Sequence, residues 1–169
     1  SMQKVNIKKL AIAGLLIAVG VVCSTISFPV GASKCAPVQH FMNVLCAVVL
    51  GPGYGVACAF VTSLLRNLLG TGTLLAFPGS MVGALLAGIL YQKTARLPFA
   101  MLGEVFGTGI LGAMLCYPVA KLLLGNGSAA LFTFVVPFGI SSLAGALLAA
   151  ILVLALQKTH ALERIFPNA

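Results

Sequence analysis

Apolar residues run through this chain in long unbroken blocks, separated by short clusters of glycine, proline and polar residues. They neither alternate with polar positions, as a half-buried strand would, nor keep to one helical face. Blocks that are apolar all round read as helices buried in protein or in lipid. They extend over about 10–28, 37–50, 54–69, 79–91, 99–124 and 131–156. Pro29 and Gly31 end the first, and Gly51-Pro52-Gly53 closes the second. Gly70-Thr71-Gly72-Thr73 and Phe77-Pro78-Gly79 part the third from the fourth, a basic loop at 92–98 follows, and Gly125-Asn126-Gly127-Ser128 leads into the sixth. Pro118 interrupts the fifth block, which a membrane helix tolerates when neighbours satisfy the freed backbone groups. A bilayer core of about 30 Å takes about 20 apolar residues per helix, so six crossings use about 120 residues. The pattern predicts an all-α integral membrane protein of six transmembrane helices, a single domain over 1–169 with no repeat or low-complexity linker. Lys4, Lys8 and Lys9 ahead of the first block also fit a cleaved signal. No small-x-small cleavage site opens a soluble region, and the first helix is read as retained.

Composition sharpens this picture. Residues are 60% hydrophobic and 7% charged, against about a quarter charged in a soluble domain, which excludes a water-soluble globule. The formal charge of +8 comes from cations scattered among apolar runs, with no continuous basic stripe to track phosphates, so nucleic acid is not an expected partner. Cations near helix ends report orientation, because cytoplasmic loops collect them. With the amino end inside, the inner segments hold Lys4, Lys8, Lys9, Lys93, Arg96, Lys158 and Arg164, and the outer side holds Lys34, Arg66 and Lys121. Both termini are therefore expected in the cytoplasm, with loops 29–36, 70–78 and 125–130 outside. Glu104 and Glu163 are the acidic residues, too few for clustered-carboxylate chemistry such as two-metal phosphoryl transfer, and no enzyme is expected. Cys23, Cys35, Cys46, Cys58 and Cys116 are odd in number and show no C-x-x-C pairing. They read as packing residues, and with His40 and His160 suggest neither metal nor cofactor.

Polar residues at membrane depth are costly and tend to mark a site. Gln39, His40 and Asn43 start the second helix at helical spacing. Asn43 falls roughly 9 Å below the outer end of its helix and Arg66 about 6 Å below the end of its own. Asn67, Thr71, Thr73 and Ser80 continue this surface, and Tyr117 falls at a similar level. Asn43 and Gln39 also suit interhelical hydrogen bonding, and Arg66 suits snorkelling, but their common depth favours a pocket for a small polar molecule. Glu104 lies about 9 Å from the inner start of its helix, roughly 15 Å from the level of Arg66, leaving it to answer Lys93 or Arg96, face a partner, or reach a deeper pocket. Lys34 and Lys121 read as outer-rim cations. Gly14 and Ala18 form a small-xxx-small pair on the first helix, fit either for packing inside the bundle or for docking another membrane protein.

The stretches FPVGASKCAPVQHFMNV (28–44), LGPGYGV (50–56), LLRNLLGTGTLLAFPGSMVGALLAG (64–88) and GEVFGTGILGAMLCYPVAKLLLG (103–125) resemble the ThiW family, the RNLLGTGTLLAFPGS run most specifically. Those proteins are substrate-binding S components of energy-coupling factor (ECF) transporters, linked to the thiazole precursor of thiamine. The resemblance implies a six-helix S-component-like bundle in the plasma membrane of a prokaryote, which binds hydroxyethylthiazole near the outer face under gating loops. A transmembrane coupling subunit and two cytoplasmic ATPase subunits would supply the energy, and the first helix, through Gly14 and Ala18, would meet the coupling subunit. The absence of a G-x-x-x-x-G-K-[ST] nucleotide loop agrees. Substrate-binding roles would fall to Gln39, His40, Asn43, Arg66, Asn67, Thr73, Phe77, Ser80, Glu104 and Tyr117. Arg66 fits a neutral thiazole awkwardly, because a guanidinium suits carboxylate or phosphate. The alternatives are an S component for another vitamin or for a phosphorylated or carboxylated thiazole, and a small polytopic membrane enzyme using His40 and Arg66.

Overall fold

A computed structural model describes residues 6–30 and 33–165, apart from the side chains of Ser33 and Lys34. Helix α1, Ile7–Val22, is capped by Asn6, whose side chain accepts a hydrogen bond from the Lys9 amide at 3.2 Å, and it tightens into a last 3-10 turn at Cys23–Thr25. A short antiparallel hairpin follows, β1 Phe28–Val30 and β2 Ser33–Cys35, with Phe28 opposite Cys35 and Val30 opposite Ser33. Then come α2 Pro37–Val49, α3 Pro52–Leu68, α4 Ala76–Thr94, α5 Leu97–Leu123 and α6 Val135–Lys158, with a short α7 at Ala161–Ile165. Ile7–Thr25, Leu97–Leu123 and Val135–Lys158 are long and apolar enough to cross a membrane; α2 is apolar but shorter.

Prolines set several starts. Pro37 and Pro52 sit in the first turns of α2 and α3, and Pro98 in that of α5, where an amide N–H would lack a helical partner in any case. The same reasoning corrects the predicted start of the fourth block. Phe77-Pro78-Gly79 is no break but the first turn of α4, which begins at Ala76 rather than 79 and runs to Thr94 rather than 91. The first block is corrected at both ends, to Ile7 and Thr25, because Asn6 caps it and Phe28 pairs in a strand. Leu131–Phe134 forms turns, so α6 starts at Val135. Within α5 the backbone widens to π-type turns at Gly107–Gly112 and again at Val119–Leu123, the second directly after Pro118. Lys4 lies outside the described residues, as does the Lys34 side chain.

The helices pack on small residues, which lets backbones approach where no hydrophobic drive separates helix from lipid. At the crossing of α2 and α6, a Cβ on Gly145 would overlap the Pro37 carbonyl and the Phe41 amide. A dry core of Val44, Ala47, Ala87, Ala100, Ala146 and Ala149 joins α2, α4, α5 and α6. Leu45, Val48, Val153, Tyr91, Leu97 and Leu162 pack together where α4 and α6 end and α5 begins. Lys8 donates to the Ile165 carbonyl, bringing the start of α1 to the end of α7. Lys8, Lys9, Lys93, Arg96, Lys158 and Arg164 thus gather at one end of the bundle, since they occupy the start of α1, the α4–α5 turn and the last turns of the chain. The opposite helix ends, with the hairpin and loop 70–75, enclose the site.

Candidate functional site

Five helices each bring one end to a cavity of about 560 Å³, inside the range of roughly 300–1,000 Å³ usual for small-molecule sites. The last turn of α1 contributes Ser24 and Thr25, α2 its first turns with Gln39 and His40, and α3 its last turn with Arg66. The start of α4 supplies Ala76, Gly79 and Ser80, and the start of α6 supplies Phe138 and Ser141. Loop residues Gly70, Thr71, Gly72 and Thr73 complete the wall. This loop is tied to both flanks. Ser24 and Thr71 hydroxyls lie 2.9 Å apart, the Thr71 amide donates to the Arg66 carbonyl at 2.9 Å, and Asn67 donates to the Ser63 and Thr73 carbonyls at 2.8 and 3.0 Å. The hairpin is tied to α6, where Ala36 N donates to Ser141 Oγ at 2.9 Å and the Cys35 thiol to the Pro137 carbonyl at 3.1 Å.

Beneath the cavity lies a polar network of four helices centred on Glu104, which is fully buried. Asn43 Nδ2 of α2 donates to Glu104 Oε2 at 3.1 Å, and the hydroxyls of Thr108 (α5) and Ser142 (α6) donate to Oε1 at 2.9 and 3.3 Å. His40 Nδ1 stands 2.8 Å from Oε1, off the line of a ring N–H, so this is a close approach rather than an aligned hydrogen bond. Asn43 Nδ2 also reaches the Ser80 carbonyl and hydroxyl at 3.1 and 3.2 Å, linking the network to the cavity wall on α4. Gly83 makes this possible, because a methyl group there would overlap the Thr108 hydroxyl and the Glu104 carboxylate. Arg66, by contrast, is held by neutral acceptors: Nη1 donates to Gln39 Oε1 and Nη2 to the Thr71 carbonyl at 3.2 Å, while Gln39 Nε2 donates to Ser63 Oγ at 2.9 Å. The arrangement offers a hydroxyl-rich, partly apolar chamber with an arginine and a histidine in its wall. It offers shape and charge for binding, and no nucleophile stands aligned with a base among the described hydrogen bonds.

A family model described as thiamine-precursor transporter protein (ThiW) matches residues 10–159. The chain belongs to the ThiW family. No curated protein and no solved structure matches it. Membership makes this a membrane protein of a transporter family for a thiamine precursor, in keeping with its apolar helices.

In this ThiW chain the residues singled out from sequence divide into three sets. Gln39, His40, Arg66, Thr73 and Ser80 line the cavity. Asn43 and Glu104 lie beneath it, in the network that includes His40. Glu104 thus answers neither Lys93 nor Arg96 but reaches the deeper position. Asn67, Phe77 and Tyr117 stand outside the lining. Asn67 braces the loop, the Phe77 ring pairs with Phe60 at 5.6 Å between centroids, and the Tyr117 hydroxyl accepts from Lys121 Nζ at 3.2 Å. Tyr117 misses the site because Ala113, Cys116 and Ala120 form the inward stripe of α5, and one residue further on is about 100° around the helix. Asn43, expected beside Gln39 and His40, meets His40 at the Glu104 carboxylate and also reaches Ser80 of α4. Gly14 and Ala18 are exposed, and a Cβ on Gly14 would meet nothing within 4 Å, so the internal packing of α1 falls to Ala13 and Gly20 instead. Sequence reasoning missed Ser24, Ser141, and the carboxylate donors Thr108 and Ser142. A lone hydroxyl in an apolar helix carries little signal.

Proposed function

We propose that this protein is the substrate-binding S component of an ECF-type importer, capturing a thiazole precursor of thiamine, hydroxyethylthiazole or a close derivative, in the cavity described above. The observation that carries the reading is the position of that cavity, at the end of the bundle opposite the cluster of lysines and arginines, in a chain of a thiamine-precursor transporter family. The charge bias of membrane proteins favours the cation-rich end in the cytoplasm, which supports a reading with both termini inside and the cavity at the outer face of a prokaryotic plasma membrane. In this arrangement α1 to α6 are six crossings. The shorter α2, about 20 Å long, is completed on the outer side by the hairpin that joins it to α1.

Capture is a matter of binding alone. Phe138 supplies an apolar ring face, Ser80 and Ser141 hydroxyls and the Gln39 amide supply donors and acceptors, and loop 70–73, braced by Asn67 and Ser24, closes the outer wall. Energy would come from a transmembrane coupling subunit and two cytoplasmic ATPase subunits. The exposed Gly14 and Ala18 give α1 a smooth stripe against which a coupling helix can pack closely. Thermal-shift screening of the purified protein against hydroxyethylthiazole, thiamine, the pyrimidine precursor and other vitamins tests the ligand. A shift with a thiazole is expected; a shift with thiamine or another vitamin and none with thiazoles would overturn the assignment.

A further inference from the structure

The cavity wall holds an arginine with no carboxylate to answer it. Its lining holds one arginine and one histidine, and neither of the two acidic residues of the chain. Glu163 is exposed in α7 and pairs with His160. The oxygens of Glu104 are taken up beneath the floor by Asn43, Thr108, Ser142 and His40. Among the described residues Arg66 therefore has no ion-pair partner.

Arg66 is nevertheless only 9% exposed, and its Nε is buried without a hydrogen-bond partner. Its two other nitrogens meet the Gln39 amide oxygen and the Thr71 carbonyl, which orient the guanidinium but leave its unit charge uncompensated. A buried charge in that state is expensive, and at membrane depth it marks a ligand or a pathway. Snorkelling to the interface does not relieve it. Gln39 holds the fork inward and loop 70–73 lies over it, with a Cβ on Gly72 calculated to fall 3.0 Å from Arg66 Cβ and 3.5 Å from Nε. Ser24, Thr25, Ser27, Thr71 and Thr73 also line the cavity, residues whose hydroxyls suit anionic oxygens.

We infer that the cavity receives a ligand bearing an anionic group, phosphate or carboxylate, whose charge Arg66 meets. The inference rests on the reading of the site as a thiazole-capturing one, and within it the preferred cargo is the phosphate ester of hydroxyethylthiazole or a carboxylated thiazole rather than the neutral alcohol.

Calorimetric titration of the detergent-solubilised full chain with hydroxyethylthiazole, its phosphate ester and a thiazole carboxylate tests this without any mutation. One of the acids should bind about tenfold or more tightly than the alcohol, the worth of a hydrogen bond to a charged group. Arg66→Met should abolish that preference, and Arg66→Lys should retain part of it. Equal or tighter binding of the neutral alcohol to the wild type overturns the inference while leaving the thiazole reading intact; binding of no thiazole overturns both. Displacement of the bound acid by phosphatidylglycerol micelles, but not by inorganic phosphate, would reassign the anionic group to a lipid headgroup and overturn the soluble cargo.

Discussion

Glu104 and Arg66 are both buried ionisable side chains of one helical bundle, and they are treated in opposite ways. Glu104 is enclosed by three hydrogen-bond donors and a histidine drawn from α2, α5 and α6, with Gly83 of α4 left bare to admit it. Arg66 has two neutral acceptors, an unpartnered Nε and a cavity in front of it. Polar groups whose hydrogen bonds are met rigidify a core, and both carboxylate oxygens of Glu104 have donors, whereas Nε of Arg66 has no partner and His40 Nδ1 only a close approach. Glu104 is accordingly the centre of the network beneath the cavity, and the role proposed for Arg66 is to meet an incoming molecule.

That contrast can be broken. Glu104→Leu removes one partner from four polar groups packed around it, and should cost about 3–5 kcal/mol of stability, read by thermal denaturation in detergent, with ligand binding lost as a consequence. Retention of wild-type stability would show that the network is dispensable. Gly83→Ala tests the same centre by volume instead of charge. Its methyl group must displace Thr108 and Glu104, with an expected cost of about 1–3 kcal/mol and weakened ligand binding.

Arg66→Met should behave in the reverse sense. Replacing an uncompensated buried cation with an apolar side chain of similar length should leave stability unchanged or raised, while affinity for an acidic thiazole falls by about tenfold or more. A large loss of stability in the absence of ligand would place Arg66 with Glu104 as a structural group. The smallest effects on the isolated protein are expected on α1. Gly14→Leu or Ala18→Leu should shift stability by less than about 0.5 kcal/mol and leave ligand binding in detergent intact, while blocking uptake by the reconstituted complex. Equal loss of binding and uptake would mean that these residues pack within the protein.

Much of the architecture was legible because long apolar blocks punctuated by Gly and Pro leave little choice of element, and all six blocks are helical. Their ends were less so. Phe77-Pro78-Gly79 reads as a break by composition, yet proline in a first turn is compatible with a helix start, and only the packing of Gly79 against Phe138 shows that the helix has already begun. The hairpin at 28–35 was invisible behind Pro29 and Gly31. For the site, depth along the helix axis was sufficient to group Gln39, His40, Arg66 and Ser80, since helices of known rise keep their levels. Rotation about the axis was not. Tyr117 shared the level and faced the wrong way, and the π-type turns of α5 make facing harder still to read from a regular period. Glu104 failed in the opposite direction. Its depth set it apart from Arg66, but His40 and Asn43 reach down from α2 to meet it, a convergence that depends on the close α4–α5 approach at Gly83.

The most direct measurement is equilibrium binding of labelled thiazole ligands to the purified wild-type chain and to Ala76→Phe, whose ring would project into the chamber from the first turn of α4. Saturable binding to the wild type, at one molecule per chain, and its loss from a folded Ala76→Phe variant are the predicted results. Undiminished binding to the filled variant would contradict the assignment of the cargo to this cavity.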